Sequence, residues 1–119
     1  MKVGNPVPII RSFDEAKARE FYIEFLEFSV DWEHRFEEGA PLYMQISKGD
    51  CVIHVSEHHG DCSPGAALRI EIDELDNYHK CLNGKKYKNA RPGITEQPWG
   101  RDMTIGDPFG NRVIFSELS

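Results

Sequence analysis

One order of local patterns occurs twice along this chain, and that repetition narrows its possible folds more than any other feature. Val7 to Ile10 is an apolar run of strand length. Ser12-Phe13-Asp14-Glu15 follows with the S-x-x-E spacing in which a cap and a glutamate satisfy free helix amides, so a helix is predicted to begin near Phe13. Ala18, Phe21, Tyr22, Phe25 and Leu26 then fall at i, i+3, i+4, i+7 and i+8, one helical face suited to packing on a sheet. Phe28 to Phe36, Leu42 to Ser47 and Cys51 to Ser56 read as three strands, broken at Glu38-Gly39-Ala40-Pro41 and Lys48-Gly49-Asp50. After the turn-rich stretch from His58 to Gly65 the order starts again. Ala67 to Ile72 is a strand, and Leu75, Tyr78, His79 and Leu82 mark a helix that Gly84 can close. Further strands fall near Glu96, from Met103 to Ile105 and from Arg112 to Ser116.

A faint sequence echo accompanies the repeat. Gly49-Asp50-Cys51-Val52-Ile53-His54 resembles Gly110-Asn111-Arg112-Val113-Ile114-Phe115 at the last hairpin of each half, as duplication would leave it. The expected architecture is therefore α+β, a single domain over 1–119 made of two βαβββ modules, 1–57 and 66–119, joined by the loop 58–65.

Charge and cysteine usage limit the function. The 20 acidic residues exceed the 14 basic ones, for a net charge of −6, which argues against nucleic acid or an anionic membrane surface and suits a cationic partner, although solubility alone accounts for such a charge. Cys51, Cys62 and Cys81 are odd in number, lack C-x-x-C spacing and follow no apolar leader, so the expected compartment is the reducing cytosol. No apolar run approaches the roughly 20 residues of a spanning helix. There is no G-x-S-x-G, phosphate-cradling glycine loop or dinucleotide fingerprint.

The two modules and the turn Asp107-Pro108-Phe109-Gly110-Asn111 resemble the vicinal oxygen chelate superfamily, which includes glyoxalases, extradiol dioxygenases and bleomycin-resistance proteins. Glu96-Gln97-Pro98-Trp99-Gly100-Arg101 is similar to the E-Q-P-W-G-R stretch of the bleomycin-resistance proteins. Val7-Pro8-Ile9-Ile10, Glu20-Phe21-Tyr22 and Phe28-Ser29-Val30-Asp31-Trp32 extend that likeness over nearly the whole chain. The resemblance implies a U-shaped mixed sheet and binding of a cationic glycopeptide drug of the bleomycin type without chemical change. It further implies a homodimer in which Pro8 accompanies exchange of the first strand, although an ordinary edge-strand proline is the simpler reading of that residue.

The resemblance also points to a site. Asp31 and Trp32 match the acidic and aromatic pair that one subunit presents, and Trp99 matches the tryptophan supplied across the groove by the other. Phe36 is an approximate match, one residue early in an ungapped alignment. Arg101 closes the E-Q-P-W-G-R stretch, and His54 faces the expected cavity. Either tryptophan can equally be a core residue on sequence grounds, but Trp99 sits in a Pro-Trp-Gly bend poorly suited to a core. Two other readings stand beside drug binding: a metal-dependent lyase, dioxygenase or thiol transferase, and a binder of some other planar small molecule.

The superfamily's metal enzymes take ligands from the first and last strands of each module. The matching positions here lie close to Val7, His54, Ala67 and Ile114, or Phe115 if the last strand shifts by one. Only His54 among them can ligate, whereas a catalytic divalent site needs about three protein ligands and an open position. His58, His59, Asp61 and Cys62 add ligand types near His54, but without a rigid pair at structural-zinc spacing. No catalytic residue, cofactor or resident metal is expected. Elemental analysis of the purified, drug-free and tag-free protein should therefore find no stoichiometric metal. Near-unit nickel, zinc or manganese per chain, lost in His54→Ala, would restore the enzyme reading.

Overall fold

The computed structural model describes residues 1–119 and contains the expected order of elements twice. The first half comprises β1 (Ile9–Arg11), α1 (Glu15–Arg19) running directly into a π-helical turn (Glu20–Phe25), β2 (Ser29–His34), β3 (Tyr43–Lys48) and β4 (Cys51–Ser56). The second comprises β5 (Ala67–Glu71), α2 (Leu75–Gly84), β6 (Ile94–Gln97), β7 (Gly100–Gly106) and β8 (Arg112–Leu118). Each half folds into one four-stranded mixed sheet, ordered β1-β4-β3-β2 and β5-β8-β7-β6. In each sheet the first strand runs parallel to the last and the other neighbours are antiparallel, because only the first strand is followed by a helical crossover. The α+β fold class and the two βαβββ units are thus as the sequence implies.

Helices cover one face of each sheet. Ala18, Phe21, Tyr22, Phe25 and Leu26 are all buried against Ile10, Met44, Ile46, Ile53 and Val55, so the helical stripe reads correctly. Its cap does not. Asp14 is the N-cap, accepting from the Lys17 amide at 3.0 Å, while Ser12 is buried and its amide bonds the Ser56 carbonyl at 2.9 Å. The parallel ladder with β4 claims Ser12, and the helix starts two residues later. In the second half Leu75, Tyr78 and Leu82 are buried with Met103, Ile105, Val113 and Phe115. The helix ends at Gly84 as expected, but the left-handed residue after it is Lys86, at φ 53°.

Two strand expectations need correction. β2 stops at His34, short of Phe36. The echo between the last hairpins is one residue out of phase, since Ile53 is buried whereas Ile114 lies on the opposite face, between buried Val113 and Phe115. The hairpins differ in length: Gly49 and Asp50 alone connect β3 to β4, while residues 107–111 connect β7 to β8.

The modules are joined through that longer turn. The Asp107 carboxylate accepts from the Phe109 and Asn111 amides at 2.8 Å and from the Asn111 side chain at 2.8 Å. It also accepts the Tyr22 hydroxyl at 2.6 Å, across to the first half. Asn111, fully buried, donates to the Arg11 carbonyl at 2.8 Å and accepts the Ala66 amide at 3.1 Å. Tyr78 bonds the Leu26 carbonyl at 2.7 Å, and Lys85 bonds the Glu24 and Phe25 carbonyls. The result measures 45 × 44 × 23 Å, broad and thin, so both sheets keep a face that no helix covers.

Gly100 opens β7 at φ 148°, and a Cβ there would overlap the Glu117 carbonyl oxygen and lie 2.9 Å from the Leu118 Cα. Neither backbone atom can move without parting β7 from β8. Gly100→Ala is expected to destabilise the protein by at least about 2 kcal/mol, a fall in Tm of roughly 8 °C, read by thermal denaturation.

Candidate functional site

The open face of the first sheet is set by a single irregularity. Val30 pairs with Ile46, but Trp32 pairs with Gln45, so Asp31 is an extra residue in β2. Regular alternation from Phe28 and Val30 would send Trp32 to the helix side with Met44. The bulge instead turns both Asp31 and Trp32 to the open face. Trp32 remains 43% exposed there. Its ring lies nearly parallel to Tyr43 (centroids 6.0 Å, 10°) and edge-on to His54 at 5.3 Å.

Behind these rings runs a directed chain of hydrogen bonds. The Tyr43 hydroxyl meets His54 Nδ1 at 2.6 Å, His54 Nε2 meets Gln45 Oε1 at 3.0 Å, and Gln45 Nε2 donates to Asp31 Oδ2 at 3.0 Å. Ser47 donates to Asp31 Oδ1 at 2.9 Å. Burial, then the charge of Asp61, holds the Tyr43 phenol above its usual range, so it stays protonated and acts as donor. All donors point toward Asp31, which keeps its carboxylate at the exposed end beside Trp32. Phe36 lies beyond β2, 93% exposed, with only an edge contact to His34 at 5.9 Å.

A second patch occupies the open face of the other sheet. Trp99, 45% exposed, donates from Nε1 to Asp102 Oδ1 at 3.1 Å. Asp102 is buried and also accepts from the Ser116 hydroxyl and from Arg69 Nη1, the latter at 2.9 Å to each oxygen. The Arg69 guanidinium stands 5.0 Å from the centroid of the Trp99 ring. The Ser116 bond first, then Arg69 and Trp99, holds the Asp102 carboxyl below the usual carboxylate range. Asp102, Ser116 and Arg69 were not singled out from sequence.

Arg101 is not part of this patch. Strand alternation places it with Met103 and Ile105 on the helix side, where it forms ion pairs with Asp76 (2.9 Å) and Glu117. Those two carboxylates hold the guanidinium above its ordinary pKa, and Glu117 in turn accepts the Leu75 amide at the start of α2 at 3.0 Å. Arg101 is therefore tied into the helix–sheet packing.

Register fixes what stands at the positions compared with metal ligands. Ile9 lies beside His54 and Arg69 beside Ile114, with Phe115 in the core. Both His54 nitrogens are engaged by Tyr43 and Gln45, and no three His, Cys, Asp or Glu side chains converge anywhere. In the connecting loop His58 and His59 stack on each other at 5.7 Å, while Asp61 accepts the Ser56 hydroxyl at 2.6 Å.

Within one chain the Trp32 and Trp99 patches stay separate, with no hydrogen bond or ring contact joining them. Two cavities at the seam between the modules, of ≈ 1190 and ≈ 510 Å³, are lined by neither tryptophan.

A family model described as glyoxalase superfamily protein matches residues 2–119. The comparison with curated proteins gives no match. Among solved structures, the chain is similar to TnmS3, an antibiotic binding protein from Streptomyces sp. CB03234, at 22% identity and TM-score 0.80, covering 100% of this chain and 99% of that one. It is similar to the bleomycin-binding protein of bleomycin-producing Streptomyces verticillus, complexed with copper(II)-bleomycin, at 23% identity, TM-score 0.76 and the same coverage. A further bleomycin-binding protein, complexed with bleomycin, is 19% identical with TM-score 0.71, covering 98% of this chain and 100% of that one. At these identities the likeness is one of fold.

Asp102 gives the Trp99 patch a pH signature. Its folded pKa is lowered, so the stability it contributes is complete above the ordinary aspartate range and is lost as pH falls through the depressed value. Trp99 fluorescence, read in Trp32→Phe, should therefore hold steady from neutral pH through the ordinary aspartate range and change only at lower pH. Asp102→Asn should show the altered emission at pH 7.

Proposed function

The chain belongs to the glyoxalase superfamily, and on that premise we propose that it binds a planar, cationic glycopeptide of the bleomycin type without altering it. Sequestration lowers the free drug in the reducing cytosol, where Cys51, Cys62 and Cys81 stay as free thiols. The observation that carries this reading is the pair of half-exposed tryptophans, each on an open sheet face and each braced from behind by polar groups. A ring already fixed in place loses little freedom when a ligand stacks on it. Offset stacking on such a ring adds about 0.5–1.5 kcal/mol beyond area burial, and a ligand cation above Trp32, which unlike Trp99 has no guanidinium over its ring, adds a comparable amount. Asp31 supplies a carboxylate for a positive tail, and the net charge of −6 speeds encounter.

One chain does not sandwich a planar group between its two tryptophans. The proposed working unit is a homodimer whose grooves take Trp32, with Asp31 and His54, from one subunit and Trp99 from the other. The exposed apolar side chains Val7, Ile9 and Phe13 suit an interface near β1. In the single chain β1 pairs with its own β4. Exchange between subunits needs only that the partner's copy of β1 take the same register beside His54–Ser56. Phe36, touching only His34, is available to close over a bound ligand. The bleomycin-binding neighbours support the ligand class proposed.

Calorimetric titration with metal-free and copper-loaded bleomycin, beside other planar antibiotics, tests the reading. One drug per chain is expected. Trp99→Ala should weaken binding by at least about 1 kcal/mol while Tm changes little, because Asp102 keeps Ser116 and Arg69. Intact binding with lost stability would make Trp99 a structural residue, and wild-type protein that binds another planar antibiotic alone would move the proposal to that ligand. Sedimentation at about micromolar concentration should report twice the 13.6 kDa chain mass, and a monomer there would remove the groove.

A further inference from the structure

We infer that Arg69 and the groove beside it form a subsite for an aromatic acid, a planar ring carrying a carboxylate or sulfonate. The inference rests on the reading of the Trp99 face as a ligand wall and states what that wall selects. Arg69 Nη1 is committed to both Asp102 oxygens and to the Ser116 hydroxyl at 2.6 Å. Its Nε and Nη2 make no hydrogen bond within the chain. Those two nitrogens share one edge of the guanidinium and present parallel N–H donors, the geometry that matches a carboxylate with two bonds at once.

Burial gives this pair a direction. The Asp102 side chain is 7% exposed and that of Arg69 47%, so the negative partner is hidden behind the sheet face and the positive one is presented to solvent. Trp99 holds the guanidinium from the side, and its stacking limits the rotamers that would otherwise be lost on binding. Arg69 also lines the ≈ 510 Å³ groove between residues 6–8, β4 and β5, whose walls include Val52, Leu68 and Ile70. That space is within the range of small-molecule sites and offers apolar contact to a ring whose acid group meets Arg69.

Glu71, on the same strand face as Arg69, and Asp50 both line the groove, and neither forms an ion pair with Arg69. They leave the donor edge free and repel a second negative charge. The two walls of the proposed site thus differ in sign, with Asp31 beside Trp32 suited to a cation and Arg69 beside Trp99 suited to an acid. A ligand carrying one group of each kind on a planar frame satisfies both.

The test compares naphthalene-2-carboxylate with the matched neutral amide, 2-naphthamide, by tryptophan fluorescence and calorimetry on the wild-type protein. The acid is expected to bind roughly tenfold more tightly than the amide. Arg69→Lys keeps a charge for Asp102 but removes the planar donor edge, so it should lose most of that preference while Tm stays near wild type. Glu71→Gln should strengthen acid binding about two- to threefold, since it removes a like charge at short range. Equal binding of acid and amide, or an Arg69→Lys protein that binds the acid as wild type does, would overturn the inference. Bleomycin titrated into the same preparations separates the cases. Acid preference without bleomycin binding leaves the subsite standing and the drug reading refuted, and the reverse result does the opposite.

Discussion

The placement of the two open faces relative to each other depends first on the contact between Asp107, Asn111 and Tyr22. Two sheets that share only apolar packing at their seam could slide or rotate against each other, because hydrophobic contact has no direction. The turn from Asp107 to Asn111 supplies the direction. One carboxylate gathers two amides, a side-chain amide and the Tyr22 hydroxyl, and Asn111 reaches on to the Arg11 carbonyl at the end of β1. Burial, followed by the Asp107 charge, drives the Tyr22 phenol well above its usual pKa, so the bond keeps its donor at any physiological pH. Leaving such a buried group unpaired costs roughly 1–3 kcal/mol, and here the loss would fall on the joint that orients both open faces.

On those faces the two patches follow a common plan with opposite outward charge. Each places a flat ring at the surface and fixes it by polar groups set into the sheet. The first patch ends in the exposed Asp31 carboxylate. The second buries its carboxylate, Asp102, and shows the guanidinium of Arg69. The single-residue bulge in β2 makes the first patch possible, since without it Trp32 would join the core and Asp31 alone would face outward. Gly100 does the corresponding work in the second, letting β7 approach the end of β8 so that the Trp99 bend folds back over Asp102.

Much of this was legible in the sequence. The helical stripe from Ala18 to Leu26 and the repeat of element order gave the modules, because burial on one helix face imposes a period that survives any detail of tertiary contact. The bulge was not legible. Phe28, Val30 and Trp32 alternate as a regular core-facing strand would, and one inserted residue leaves no compositional trace. Arg101 and Trp99 sit close in one continuous stretch, and sequence proximity alone groups them. Strand alternation separates them and puts Asp102, the next residue, on the Trp99 side instead. Arg69 alternates with Leu68 and Ile70 and so reads as facing away from the core, but that pattern marks any solvent-facing strand position and does not by itself single out a ligand contact. Ser12 lost its expected cap role to Asp14 because the ladder to Ser56 took its amide first.

The central claim is that a drug lies between Trp32 of one subunit and Trp99 of another, and mixing two defective chains tests it most directly. Trp32→Ala and Trp99→Ala chains, each with its own tag, are purified alone and as co-expressed mixed dimers, and bleomycin binding is measured on all three. The account predicts that each variant alone binds poorly, while the mixed dimer regains one groove of wild-type affinity, since one of its two grooves keeps both tryptophans. Mixed dimers that bind no better than either parent would contradict it.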